Sequence, residues 1–225
     1  PLILQKCLPA AQTGDPRLPG TAPCAADDWL CVDEAYAAQM AYRAQLLRDQ
    51  PQAVLYDAPS DANCEILDEA LKCLPDLGFV VTDTYVTCPD GRTVGIDRSA
   101  PLWTLGHLVQ EDICVLQKQG SEHVMTGAVL CFPANWRLAE KINRPLTGIH
   151  DPVDEYDNNI ARRVQRLFDG VQVGRPLWRF NKLPYSDADL HQPYKRELGA
   201  TVPYTRSERQ CILRLPTTDA VVFTI

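Results

Sequence analysis

Thr205–Ile225 reads TRSERQCILRLPTTDAVVFTI. Its two apolar runs, Cys211–Leu215 and Ala220–Ile225, are separated by Pro216–Asp219, a turn-forming PTTD, so the segment predicts a terminal antiparallel hairpin. Just upstream, Leu177–Leu183 (LWRFNKL) alternates apolar and polar residues and predicts a further strand. Late antiparallel strands after a run of helices, with no regular strand–helix–strand alternation, place the chain in the α+β class.

Working back toward the N-terminus, Tyr156–Phe168 predicts an amphipathic helix. Ile160, Val164, Leu167 and Phe168 point inward, and Arg162, Arg163 and Arg166 outward. A loop with Pro145, Gly148 and Pro152 surrounds His150, and a short helix is expected through Trp136–Ile142. Val124–Phe132 reads as a buried strand, whereas Pro101 to about Lys118 keeps helical spacing through Leu102, Leu105, Leu108, Val109 and Ile113. Phe79–Val86 and the Asp90-Gly91 turn predict a β-hairpin. Two more helices are expected. One runs from an Asp33 cap to Gln50, and the other from Ser60/Asp61 to Pro75 with Ile66, Leu67, Ala70 and Leu71 inward. Residues 1–28, with Pro1, Pro9, Pro16, Pro19 and Pro23, form an irregular segment ahead of a single domain over 29–225.

Lys+Arg 22 against Asp+Glu 29 gives a net charge of −7, and this leaves no basic surplus for nucleic acid or an anionic membrane. The longest apolar stretches fall far short of the roughly 20 residues that span a bilayer. PLILQKCLP carries no charged leader and VVFTI stops inside an apolar run, so the chain reads as a fragment truncated at its C-terminus. Nine dispersed Cys with no CxxC pair argue against a zinc site and favour a reducing, intracellular and cytoplasmic setting; Cys7, Cys24 and Cys31 would pair only in a secreted protein.

Of the four His, His107 reads as a core or helix-surface residue, His123 as a turn residue and His191 as loop surface. His150 stands in LTGIHDPV between a Gly and a Pro with Asp151 adjacent, a setting that can present an imidazole as ligand or base. In TRSERQ, two-residue alternation puts Arg206, Glu208 and Gln210 on one face and Ser207, Arg209 and Cys211 on the other. One set points into a pocket or guards an exposed strand edge. Gln110-Glu111-Asp112, on the expected helix, caps it, pairs with an Arg or joins a site. GxSxG, HExxH, GxGxxG and P-loop patterns are missing.

Taken in order, DDWLCVDEAYAAQMAYRAQLL, LVQEDICVLQ, VLCFPANWRLAEKINRPLTGIHDPV, RFNKL and RSERQCILRLPTTDAVVFTI resemble consecutive blocks of the haem-dependent oxidative N-demethylase α-subunit family, which has many fungal members. The resemblance runs from about Trp29 to Ile225. It implies a PAS-like antiparallel sheet with flanking helices that enclose haem b. The implied chemistry is monooxygenation: O2 and externally supplied electrons remove an N-methyl group from a small amine as formaldehyde. NADPH, flavin and an iron–sulfur cluster would belong to a separate reductase. Carried over by block, His150 is the axial-ligand candidate, with His107, His123 or a Cys such as Cys114 or Cys131 as alternatives. Arg209 and Gln210 match the family's Arg-Gln pair, at bound oxygen or a propionate. Arg206 and Glu208 are pocket residues, the carboxylate suiting a cationic amine, and Tyr204 and Trp178 line the cavity. Cys211 stands where Thr is expected, and Phe180-Asn181-Lys182 stands where the family has Arg-Asn-Trp. Rival readings are a haem-based sensor and a haem-free interaction protein with the same fold.

Overall fold

The computed structural model describes residues 1–6, 8–14, 20–150, 158–195, 199 and 201–225, without the side chains of residues 150 and 158–162. Its elements in chain order are β1 (Ala22–Pro23), α1 (Tyr36–Asp49), α2 (Pro51–Val54), β2 (Leu55–Tyr56), α3 (Asp61–Cys73), β3 (Val80–Val81), β4 (Tyr85–Thr87) and β5 (Thr93–Gly95). These are followed by α4 (Pro101–Leu108), β6 (Ile113–Gln119), β7 (Glu122–Val129), α5 (Leu138–Lys141), α6 (Leu146–His150), α7 (Asn158–Gly170), β8 (Leu177–Tyr185), β9 (Tyr204–Arg214) and β10 (Val221–Thr224). The seven-stranded antiparallel sheet has the order β1-β8-β9-β10-β6-β7-β2, and β3-β4-β5 form a separate small sheet. The expected α+β class is therefore observed. Strands of two residues, β1 and β2, close the ends of the large sheet, β1 pairing with Leu177 and Trp178 of β8 and β2 with Ala128 and Val129 of β7.

Alternation along the central strands builds two cores. Ile113, Val115, Val129, Cys211, Leu213 and Val222 face α1, α3, α4 and the small sheet, on what is termed here the back face. Cys114, Leu116, Met125, Ala128, Ile212 and Val221 face Leu138, Leu146 and Phe168 of α5, α6 and α7, on the front face. Burying each of these aliphatic side chains contributes about 1.5–3 kcal/mol. Contact on the back is close at Gly127 of β7, where an added Cβ would lie 2.5 Å from the Asn63 Oδ1 of α3.

Local chemistry explains the helix limits. The Asp33 carboxylate accepts the Ala35 N–H (2.8 Å) one residue ahead of α1, so it caps from slightly further out than expected. α3 opens after Ser60 and ends before Pro75, as the sequence predicts. Asp57 accepts the N–H groups of Leu102 (2.8 Å) and Trp103 (3.0 Å) and so satisfies the start of α4. Gly91, at φ +84°, makes the β4–β5 turn.

Two expectations need correction. The helix from Pro101 ends at Leu108: Val109 is extended, and Ile113–Gln119 is the strand β6. A fully buried strand reads as a continuous apolar run that periodicity cannot separate from a helix. Gln110-Glu111-Asp112 therefore forms a buried connection rather than part of a helix. The backbone at His150 is likewise not loop, because Pro145 is followed directly by the one-turn helix α6; Pro152 lies outside the described residues. No described helix is long and apolar enough to cross a membrane.

Candidate functional site

The TRSERQ segment lies within β9, not before a strand. Nine residue pairs join it to β8, from Leu177↔Ile212 to Tyr185↔Tyr204. Residues directly opposite in such a pair point to the same side. The front face of β8–β9 therefore carries two parallel rows. Arg179, Asn181, Leu183 and Tyr185 lie along β8, and Gln210, Glu208, Arg206 and Tyr204 lie opposite them along β9. The alternation read from the sequence for Arg206, Glu208 and Gln210 holds.

Glu208 is the hub of this front-face array. Its carboxylate accepts Arg206 Nε at 3.0 Å, Asn181 Nδ2 at 2.9 Å and Gln210 Nε2 at 3.2 Å, and its backbone N–H donates to Asn181 Oδ1 at 3.1 Å. Arg206 and Glu208 side chains are each only 10% exposed, so the pair is worth more than a surface ion pair. The remaining Arg206 donors reach the carbonyls of Leu190 (2.9 Å), Pro133 and Phe132, tying β9 to the segment after β7. Its guanidinium also lies 5.8 Å from the Tyr185 ring centroid. Tyr204 closes the row beside a shallow depression that it shares with Ser186–Asp189.

Two polar atoms of this face are buried without a partner, Arg179 Nε and Tyr185 Oη. Arg179 makes no hydrogen bond or ion pair to the described residues. Burial lowers its pKa from the ordinary guanidinium value, with Glu208 drawing it back up. Burial likewise raises that of Tyr185. An orphaned buried donor costs about 1–3 kcal/mol, so a native structure keeps such atoms for a reason. Arg179, Asn181 and Tyr185 were not singled out from the sequence. The signal that would have found them is the alternation of LWRFNKL, aligned against RSERQ.

The sheet separates Arg209 and Trp178 from this group. Both project from the back face, where Arg209 contacts Asp28 (3.1 Å) and Cys211 Sγ (3.2 Å) and lies 5.6 Å from the Trp178 ring centroid. Trp178 in turn stacks on Phe180. Asn181 is the residue that clamps Glu208, while Phe180 and Lys182 turn to the back with Trp178.

Among the other candidates, the side chain of His150 lies outside the described residues. His107 Nδ1 donates to the Trp103 carbonyl (2.9 Å), and the ring packs on that of Trp103. His191 Nδ1 meets the Cys131 carbonyl at 2.8 Å. His123 is fully buried under α7; its Nδ1 meets Gln165 Nε2 at 2.9 Å and its Nε2 has no partner. Cys114 and Cys131 are buried thiols whose pKa burial raises, Cys131 to about 12, so both stay protonated. Cys24, Cys31, Cys64, Cys73, Cys88 and Cys211 are also free, and Cys7 lies outside the described residues. Among the described residues no group of three His, Cys, Asp or Glu is placed to hold a bare metal ion. Haem iron asks the protein for as little as one axial side chain.

The acids at the start of β6 are structural. Asp112 pairs with Arg43, and Glu111 Oε1 accepts the Cys31 N–H (2.8 Å) and thiol (3.3 Å), while burial raises the Glu111 pKa. No curated protein matches the chain. Residues 20–225 match the family described as haem-dependent oxidative N-demethylase, alpha subunit-like, and the chain belongs to that family.

Proposed function

We propose that the chain is the haem-bearing component of a monooxygenase, which uses O2 and electrons from a separate reductase to remove an N-methyl group as formaldehyde. The family match over residues 20–225 is the observation that carries this reading. The overall change consumes one O2, two electrons and two protons, and yields the demethylated amine, formaldehyde and water.

The front face of β8–β9 supports it. A porphyrin offers a broad apolar ring and two carboxylate arms. Here the half-buried Leu177 supplies apolar surface next to Arg179, while Arg179 Nε and Tyr185 Oη are donors in need of acceptors. Helices inserted between β7 and β8 on the same side as this row support the PAS-like reading. His150, at the end of α6, is the residue that would hold the haem iron. When bound, haem supplies the reductive activation of O2. The protein's part would be to hold Gln210 and Glu208 in one arrangement, which the contacts of Asn181, Arg206 and Gln210 with Glu208 support. Arg209 and Trp178 hold β9 against the N-terminal segment from behind.

Absorbance spectra of the protein titrated with hemin test the reading. A Soret band that weakens in His150→Ala is expected. With a reductase, NADPH and O2, the loaded protein should release formaldehyde from a methylated amine. A folded preparation that stays colourless in hemin removes the proposal, and a haem complex that never yields formaldehyde points instead to a sensor.

A further inference from the structure

Among the described residues, charge on the front face of β8–β9 does not balance. Its ionisable rows hold two guanidinium groups, Arg179 and Arg206, against one carboxylate, Glu208. Glu208 is already engaged by Arg206, Asn181 and Gln210. Gln210, directly opposite Arg179, sends its Nε2 toward Glu208. One positive charge is therefore left over, on a side chain that is only partly exposed and whose Nε is fully screened from solvent.

Neighbouring arginines are used differently. Arg206 is consumed by three backbone carbonyls and Glu208, Arg209 by Asp28 and Cys211, and Arg214 by the carbonyls of Val171, Phe168 and Asp219. Arg43 and Arg92 are likewise paired, with Asp112 and Asp90. Among the described arginines that are not solvent-exposed, Arg179 alone lacks an acceptor. A guanidinium is planar and presents parallel N–H donors that match the two oxygens of a carboxylate.

We propose that Arg179 is the binding position for the carboxylate of a ligand held against β8–β9. A surplus of one charge and a single fork suit a carboxylate better than a phosphate, whose double charge normally draws several donors or a helix N-terminus. The inference rests in part on the functional reading above, because the acid has two possible sources. One is a propionate arm of the porphyrin. The other is the substrate, which would make the substrate class an N-methylated amino acid rather than a bare amine.

Two titrations separate these sources, and neither needs turnover. In the first, hemin and its dimethyl ester are added to wild type, Arg179→Gln and Arg179→Lys, and the Soret change is followed. If a propionate is held, wild type binds hemin at least tenfold more tightly than the ester. Arg179→Gln then binds both alike, with Lys intermediate. In the second, N-methylglycine and dimethylamine are added to haem-free and haem-loaded protein, and thermal midpoint and tryptophan fluorescence are read. If a substrate acid is held, only N-methylglycine shifts wild type, and the shift vanishes in Arg179→Gln. Circular dichroism checks that the variants fold, and the hemin-versus-ester comparison in wild type stands even if they do not. Equal binding of hemin and ester together with no response to N-methylglycine overturns the proposal. Failure to take up hemin at all defeats the haem reading alone, since the second titration on haem-free protein still decides the role of Arg179.

Discussion

Arg43 of α1 and Asp112 at the start of β6 meet at 2.6 Å with side chains 0% and 2% exposed. Around them Asp112 also accepts the N–H groups of Cys131 and Phe132, both at 2.7 Å, while Arg43 reaches the carbonyls of Gly106 and Gln110. The pair thus joins the ends of α4 and β7 to the middle of α1. Asp112→Ala would strand a buried cation and two backbone donors. It should destabilise the fold by about 3–5 kcal/mol in denaturant unfolding, with Asp112→Asn intermediate. A loss below about 1 kcal/mol would show that the pair is dispensable.

Glu65 of α3 receives the N–H groups of Thr217 (2.6 Å) and Thr218 (2.8 Å), in the turn between β9 and β10. Burial works to raise its pKa, but the donors of Thr218 and Thr217 outweigh it and hold the value low. A lowered carboxylate pKa stabilises the fold above the ordinary glutamate value of about 4.3. That contribution is lost as pH falls from there toward the folded value. Glu65→Gln should therefore lose stability at pH 7, and the gap to wild type should close as pH falls below about 4.3 in thermal melts. A gap that stays constant with pH refutes this account.

Burial depresses the pKa of His123 beneath α7, against a smaller opposite pull from Asp169, and Lys118 and Arg214 nearby also disfavour a charged ring. The folded protein protonates this ring less readily than the unfolded chain, which binds a proton from about pH 6.5 downward. Stability should hold above that value and decline as pH falls below it. His123→Asn should flatten the decline below about pH 6.5 in urea midpoints; an unchanged slope would assign it elsewhere.

Among the described residues, Glu208 is the negative charge that acts on the unpaired Arg179. Removing it with Glu208→Gln should strengthen binding of the carboxylate ligand about two- to fivefold at low salt, and less at 0.5 M salt, where screening is short-ranged. Weaker binding in this variant would mean that Glu208 acts chiefly by holding Arg206 and Asn181 in place.

Much of the framework is legible in the residues because local chemistry and burial agree. Ser60 and Pro75 bracket α3, Asp90-Gly91 marks the β4–β5 turn, and the order of the late strands gives the class. The boundary at Val109 is not legible. Helix and buried strand are both continuously apolar there, and the break is stabilised by Arg43, nearly seventy positions away from Asp112 in sequence. The site was half legible for a similar reason. Alternation within one strand separates Glu208 from Arg209, but only the register with β8 adds Arg179 and Asn181.

Adjacent letters of β9 thus belong to opposite compartments of the molecule. Deleting a single residue between Tyr204 and Gln210 would carry the acid of position 208 into the greasy interior behind the sheet and turn Arg209 outward in its stead. Length variation is consequently barred from this strand even where substitutions are harmless, and any relative that gains or loses one residue there must have rebuilt both faces of the strand.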